Sequence, residues 1–231
     1  MPSNTTRLSM TSGDVPGGAP AFGWFRLKYL VFAVIFAMMA YVLVHNERFI
    51  IDPTHPVWNH YEPFKWWLLP HGIAGACVLF LAPLQFSNRL RARHITLHRT
   101  VGGIYVIAVM VLAPIGVLIQ YYDEAQGAAR SFTIETVIQS ALLLTTTGLA
   151  LLNILQGNVT RHRQWMFRSY AVALTFLEVR VILGVFGLDN PIDWHVVETV
   201  VWSCAAAAIL LGDIANEIHE RQQERARPSR A

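Results

Sequence analysis

Four histidines stand at the beginnings of long apolar segments of the chain: His71, His98, His162 and His195. A neutral imidazole can ligate a metal ion or accept a proton near neutral pH. Successive membrane spans alternate in direction, so His98 and His162 lie at one face of the membrane and the other two at the opposite face. The spacing therefore predicts one metal-ligating pair, His98 with His162, and a second pair at the other face.

Three arginines accompany these histidines: Arg99, Arg168 and Arg180. A guanidinium pairs with carboxylate or phosphate oxygens in a bidentate way, so we expect Arg99 and Arg168 to hold an anionic group beside the histidine pair. Arg180 lies inside an apolar segment, where an unpaired cation costs at least about 2.5 kcal/mol. We predict that Glu135, Glu198 or a bound anionic group pairs with Arg180.

Other polar residues recur at helical spacing within the apolar segments. Glu135, Gln139 and Asn153 fall on one face of the fourth segment. Gln85 and Glu198 lie on the polar faces of the second and sixth segments. Polar side chains within membrane spans usually face the bundle interior. We predict that these five do so, in two polar layers separated by a mostly apolar centre.

Six apolar segments must position these side chains, and each has about the 20 residues that a helix needs to cross a bilayer. They run over residues 25–44, 68–86, 101–120, 132–155, 166–187 and 194–214. The chain is 54% hydrophobic and only 14% charged, whereas a soluble domain carries about 25% charged residues. The sequence predicts an all-α polytopic membrane bundle of six transmembrane helices, and excludes a disordered chain and a nucleic-acid-binding protein.

The arginines and lysines set the expected orientation. Both ends of the chain and the second and fourth loops are basic, and the odd-numbered loops carry few cations. Positive loops stay in the cytoplasm, so we predict a multi-pass protein of the bacterial inner membrane with both termini cytoplasmic. Its inner arginines would contact anionic lipid headgroups. Residues 1–22 and 217–231 are then predicted as cytoplasmic tails around a transmembrane domain, 23–216.

Three strings of residues carry a family resemblance: HGIAG at 71–75, LHR at 97–99 and HRQWMFRSYA at 162–171. Together they resemble the bacterial predicted membrane proteins grouped as domain of unknown function 2306, over about residues 71–183. The resemblance implies no activity. It marks five positions as the ones to examine: His71, His98, His162, Arg168 and Arg180.

The first functional hypothesis from the sequence is transmembrane electron transfer through haem b, as in a membrane oxidoreductase. Such a haem lies between two imidazoles on facing helices, beside glycines that leave room for the flat ring. The residues that would serve are His98 with His162, His71 with His195, and Gly72, Gly75 and Gly102. Gln85, fourteen residues after His71, counts against this hypothesis, because two-haem cytochromes often carry a second histidine at that spacing.

Three alternatives stay open. A small-solute or proton-coupled transporter would use an outer site of His71, Glu135, Arg180 and Glu198. A membrane enzyme would hold a metal at His94 and His98, and a structural subunit would need no site.

Three further features bear on packing. Cys77 and Cys204 lie in apolar segments and are expected to be free thiols that act as small hydrophobic residues. Glu178 lies two residues from Arg180 and so points about 200° away from it on a helix, towards lipid, the first helix or a second copy in a homo-oligomer. The aromatic loop 45–67 is predicted to cap the bundle at the membrane surface.

Overall fold

The computed structural model describes residues 22–47, 49, 52, 54–56, 58–188 and 193–225. That part of the chain is helical, with no strand. Its helices are α1 (Phe22–His45), α2 (Trp58–Tyr61), α3 (Lys65–Gln85), α4 (Asn88–Arg93), α5 (Ile95–Ala125), α6 (Arg130–Leu155), α7 (Val159–Val185) and α8 (Trp194–Arg225), with a 3-10 turn at Glu62–Phe64. The predicted tails lie outside the described residues over 1–21 and 226–231.

The six long helices coincide with the six predicted apolar segments, and the all-α prediction is confirmed. Most of these helices extend beyond the apolar segments into the polar loops, although α3 and α7 end one and two residues before their segments do. The Asn158 side chain accepts a hydrogen bond of 3.1 Å from the backbone N–H of Arg161, and so caps α7. Helix α8 continues to Arg225, so no break marks the predicted boundary at residue 216.

Four helical stretches are long and apolar enough to cross a membrane: Glu62–Gln85, Ile95–Ala125, Arg130–Leu155 and Trp194–Arg221. The apolar part of α1 over Tyr29–His45 is shorter. Helix α7 has 27 residues, but its sequence includes four arginines and a glutamate. The chain is thus a multi-pass membrane protein by the composition of its helices.

Helix α7 is the most connected element of the bundle, because it packs against α6, α8, α1 and α3. Helices α3, α5 and α6 continue the bundle on its other side. The core between these helices contains Val78 of α3, Tyr105 and Val109 of α5 and Leu177 of α7, all nearly inaccessible to solvent. Both cysteines are free, as predicted.

The two ends of the bundle differ. We call the end at which α5 and α7 begin the histidine end, and the opposite end the cap end. At the cap end Phe64 is 3% exposed, and the centre of its ring lies 4.7 Å from the centre of the Tyr122 ring, near the end of α5, with the two rings tilted against each other. Phe49 is also buried, and the Trp58 indole N–H donates to its carbonyl oxygen at 2.9 Å. These contacts place the aromatic loop over the end of the helices, as expected.

Candidate functional site

The structure brings His98 and His162 together at the histidine end. They lie in the first turns of α5 and α7, near enough for the two rings to interact electrostatically when both are protonated. Nδ1 of His162 lies 2.8 Å from the carbonyl oxygen of Ala150 on α6. In the neutral ring this N–H donates, and Nε2 keeps its lone pair. Nδ1 of His98 is buried and has no hydrogen-bond partner.

Gln85 lies beside this pair, at the end of α3. Its side chain is 9% exposed, and its Oε1 lies 3.5 Å from the position that a Cβ on Gly102 would occupy. Gly102 is one helical turn from His98 on α5, so Gln85 and His98 are neighbours along the contact between α3 and α5. Nε2 of Gln85 has no hydrogen-bond partner.

The predicted anion-holding arginines separate. Arg99 is exposed and its charge acts on His98. Arg168 faces α8, where its Nε donates to Oδ1 of Asp213 at 2.6 Å. It lies six residues after His162, which places it about 120° away on the helix and explains why it cannot join the histidine pair. Gly212 allows this close approach, because a Cβ there would lie 3.1 Å from Cα of Arg168.

A chain of three hydroxyl groups joins three helices inside the bundle. The Ser169 Oγ on α7 lies 2.8 Å from the Tyr105 hydroxyl on α5 and 2.8 Å from Oγ1 of Thr147 on α6. All three side chains are at most 3% exposed. The centre of the bundle therefore contains a buried hydroxyl chain beside apolar core residues such as Val78 and Leu177. The sequence did not predict that these three hydroxyl groups on facing helices contact one another.

The hydroxyl chain lies above the histidine pair along the helix axes. Tyr105 is seven residues after His98 on α5, and Ser169 is seven residues after His162 on α7. Seven residues turn a helix through about 700° and rise about 10.5 Å, so each hydroxyl lies nearly over its histidine. The sequence contains this signal in the equal spacing of the two pairs.

A buried carboxyl lies deeper, towards the cap end. Glu135 of α6 is 3% exposed, and its Oε1 has no hydrogen-bond partner. One turn on, Nε2 of Gln139 donates to the carbonyl oxygen of Val172 on α7 at 3.2 Å. Glu135 and Glu178 both act electrostatically on the Cys204 thiol, which lies where α7 and α8 pack together. Glu178 is half-buried and lies near enough to α8 to act on Cys204, whereas its predicted orientation towards lipid, the first helix or a second copy stays a prediction.

Arg180 has a different carboxylate partner from the two predicted. Its Nη1 lies 3.9 Å from Oε1 of Glu47, and its guanidinium lies 4.8 Å from the ring centre of Phe176. It also hydrogen-bonds to the Tyr61 hydroxyl. Arg180 lies two residues after Glu178 and points about 200° away from it, towards the cap, and reaches neither Glu135 nor Glu198.

Burial affects the ionisation of both cap residues beside Arg180. It raises the pKa of Glu47, and the positive charge of Arg180 opposes this rise. Burial also raises the pKa of Tyr61, again opposed by Arg180. The cap thus holds an acid and a phenol around one arginine.

The remaining predicted site residues belong neither to the histidine pair nor to the hydroxyl chain. Nδ1 of His71 lies 3.2 Å from the carbonyl oxygen of Leu112, so His71 faces α5. His195 is exposed at the start of α8, so these two rings lie in different surroundings. Asn153 donates to the carbonyl oxygen of Leu149 in its own helix. Glu198 is half-buried on α8.

The three glycines of the haem hypothesis lie in different surroundings. A Cβ on Gly75 would lie 3.6 Å from Leu112, and one on Gly102 would lie 3.5 Å from Gln85, whereas one on Gly72 would have no atom within 4 Å. Side chains of the neighbouring helix thus fill two of the three glycine faces and leave the face at Gly72 open. The part of the chain that the structure describes also contains no group of three or more histidine, cysteine, aspartate or glutamate residues placed to hold a metal ion.

Comparison with known proteins gives one match. A family model described as "Predicted membrane protein (DUF2306)" matches residues 68–214, which is more than half of the chain. No curated protein and no solved structure matches the chain. The matched region contains the histidine pair, the hydroxyl chain, Glu135 and Arg180. The chain therefore belongs to the DUF2306 family of predicted membrane proteins.

Proposed function

We propose that this protein moves protons through its helix bundle, which develops the proton-coupled alternative drawn from the sequence. One observation carries the proposal: the buried hydroxyl chain lies two helical turns above a pair of histidines. A hydroxyl group both donates and accepts hydrogen bonds, so a chain of them can pass a proton along. Imidazole takes up and releases protons near neutral pH, which suits His98 and His162 as the entry to such a chain.

The depth covered by these groups supports the proposal. Ser169 and His162 are about 10.5 Å apart along α7, and Thr147 and Glu135 are about 18 Å apart along α6. Helices α6 and α7 are joined at the level of Ser169 and Thr147. The protonatable and hydroxyl groups therefore extend over about 28 Å, close to the 30 Å of a bilayer core.

Glu135 is the second protonatable station of the proposed path. Ionisable residues inside membrane spans are costly, and they mark proton relays in pumps and transporters. An unpartnered carboxyl suits that role, because no protein group competes for its proton. At the cap end, the proposed path ends at His71, whose Nδ1 lies 3.2 Å from the carbonyl oxygen of Leu112 on α5.

Hydrogen bonds also hold membrane helices together, each contributing about 0.6 kcal/mol on average. That role accounts for the hydroxyl chain alone. It does not account for an unpartnered carboxyl and an unpartnered imidazole nitrogen in the same bundle, since these groups stabilise nothing. Their presence favours proton transfer over a purely structural subunit.

The proposal includes the orientation of the chain: all six long helices cross the bacterial inner membrane, with the histidine end in the cytoplasm. Helix α7 is surrounded by α1, α3, α6 and α8, which shields its charged residues from lipid. The arginines of α4 and of the first turn of α7 lie at the histidine end, as the positive-inside rule requires.

Reporter fusions near Arg91 and after Ala231 should be cytoplasmic, and one near Asp123 external. A fusion near Arg91 that reports from outside would overturn this orientation.

Proton flux into vesicles tests the function. The purified protein is reconstituted in liposomes that contain a pH-sensitive dye, and a potassium gradient with valinomycin drives protons inwards. Wild-type protein should acidify the lumen, and Ser169→Ala or His162→Ala should slow this by about tenfold or more, since proton transfer by one positioned group contributes at least that much.

Thr199→Val is the matched control. The Thr199 hydroxyl is exposed and donates to the carbonyl oxygen of His195 in its own helix, so this variant should retain wild-type flux. Wild-type flux no faster than that of protein-free liposomes would overturn the proposal. So would an unchanged flux through Ser169→Ala.

Haem-b electron transfer is the second candidate, and one observation favours it. The bond from His162 to the carbonyl oxygen of Ala150 leaves Nε2 free, the arrangement that orients a histidine for an iron. An absorption spectrum of the protein in detergent, before and after reduction with dithionite, separates the candidates. A Soret band that shifts on reduction supports haem, whereas a colourless folded preparation from haem-producing cells excludes it.

A further inference from the structure

Two neighbouring nitrogen atoms at the histidine end have no partner: Nε2 of Gln85 and Nδ1 of His98. Gln85 is 9% exposed, and it packs on Gly102 one turn from His98. Nearly all buried polar groups in proteins are hydrogen-bonded. Two unpartnered nitrogens on residues one helical turn apart along this contact therefore indicate a partner that the protein chain does not supply.

The chemistry of the two nitrogens defines that partner. An amide Nε2 only donates hydrogen bonds, and the Nδ1 of a neutral histidine donates in one of its two tautomers. A group that bonds to Nε2 of Gln85 must therefore be a hydrogen-bond acceptor, and it accepts a second bond from His98 when that ring has its proton on Nδ1. An acceptor oxygen between the two side chains would satisfy both.

The surrounding charge restricts the acceptor further. Arg91 and Arg99, which stay positively charged at neutral pH, both act on the His98 ring. A neutral carbonyl group would make little use of this field, whereas an oxyanion is attracted by it. Arg99 follows His98 directly and is exposed, so its guanidinium is available to an anion that arrives from the membrane surface.

We propose that Gln85, His98 and Arg99 bind a phosphate oxyanion at the histidine end of the bundle. The phosphate belongs either to the headgroup of an anionic phospholipid or to a soluble phosphate compound, and the recognition chemistry is the same for both. Arginine and amide donors suit this group, since its oxygens accept several hydrogen bonds at once. The site shares His98 with the proposed proton path, but binding at equilibrium needs no proton gradient and is measured separately from flux.

Equilibrium binding to the full-length protein in detergent tests the site with two probes. Inorganic phosphate is titrated by calorimetry, and phosphatidylglycerol is added in mixed micelles and its adducts are counted by native mass spectrometry, with phosphatidylcholine as the neutral comparison. Binding of phosphatidylglycerol supports the lipid source, and binding of inorganic phosphate the soluble one. Binding of neither probe overturns the proposal.

Three variants identify the residues. Gln85→Glu keeps the shape of the side chain but replaces the donor by a carboxylate, and Arg99→Gln removes an exposed charge. Each should weaken binding by about tenfold or more, the effect expected of a lost charge-assisted hydrogen bond. Arg89→Gln, an equal loss of charge at an exposed arginine of α4, should leave binding unchanged.

Folding of each variant is checked by size-exclusion chromatography. If the Gln85 variant fails to fold, the Arg99→Gln variant still tests the proposal. Wild-type affinity for phosphate in that variant overturns it. Ser169→Ala should bind phosphate as the wild type does, so failure of the proton proposal leaves this one separately testable.

Discussion

The hydroxyl chain and Glu135 are equally buried in one bundle, but their partners differ. Tyr105, Ser169 and Thr147 join three helices through two hydrogen bonds of 2.8 Å. Glu135 is 3% exposed, and its Oε1 has no hydrogen-bond partner. At the cap, the ion pair between Arg180 and Glu47 is longer and measures 3.9 Å.

This difference separates groups that hold the bundle from groups that are free for chemistry. A satisfied polar network fixes the relative positions of its helices. A carboxyl without a partner stabilises nothing, and burial disfavours its charged form. Glu135 should therefore be replaceable without loss of stability, whereas Ser169 should not.

The largest stability effect is expected for Ser169→Ala. The change leaves the hydroxyls of Tyr105 and Thr147 buried without their shared partner, and each such group costs about 1–3 kcal/mol. Thermal unfolding in detergent, followed by circular dichroism, should show a clear drop in the midpoint. Thr199→Val removes an exposed hydroxyl and should unfold with the wild type. Equal midpoints for the two variants would show that the hydroxyl chain does not hold the helices.

A double-mutant cycle measures how much of this stability comes from one hydrogen bond. Tyr105→Phe and Ser169→Ala each break the 2.8 Å contact between their hydroxyls, so their effects should overlap rather than add. Hydrogen bonds between membrane helices give coupling energies of about 0.6 kcal/mol on average. The unfolding free energies of the two single variants and the double variant measure the coupling. A value of zero would mean that this contact contributes nothing.

Much of the fold could be predicted from the sequence, because the length of an apolar run and the position of polar loops depend on local composition. The six long helices follow the predicted segments. The partners of the site residues could not be predicted, because they depend on how each helix is rotated against its neighbours. Arg180 illustrates this: its depth required a partner, but only its orientation towards the cap selects Glu47.

The histidine end was predicted better than the centre. His98 and His162 lie at the same end of the bundle because each lies in the first turn of a helix that begins there. The alternation of spans already requires this. The hydroxyl chain was missed because serine, threonine and tyrosine have little effect on hydropathy. Their partners become visible only when three helix faces are placed together.

Glu135→Gln tests whether the unpartnered carboxyl, unlike the hydroxyl chain, can be replaced without loss of stability. The variant keeps the size of the side chain and removes its charge, so the free energy of unfolding should stay within about 0.5 kcal/mol of the wild type or rise. Proton flux in the liposome assay should fall, because an amide cannot take up and release the proton. Gln139→Leu makes a contrast, since it breaks the bond to the carbonyl oxygen of Val172 and should lower the midpoint. A loss of stability as large as that of Ser169→Ala would show that Glu135 has a structural partner.

The smallest effect, and one that depends on pH, is expected at the cap. Burial raises the pKa of Glu47 above its ordinary value of 4.5, although Arg180 opposes the rise. An acid whose pKa is higher in the folded state binds its proton more tightly there, so its contribution to stability is complete below the ordinary value and is lost as the pH rises through the folded value. Glu47→Gln resembles the protonated acid at every pH. The variant and the wild type should therefore unfold together at about pH 4, and the variant should unfold at a higher temperature at about pH 8. A lower midpoint for the variant at the higher pH would instead mean that the 3.9 Å ion pair with Arg180 outweighs the burial of Glu47, and that the cap is held as firmly as the hydroxyl chain.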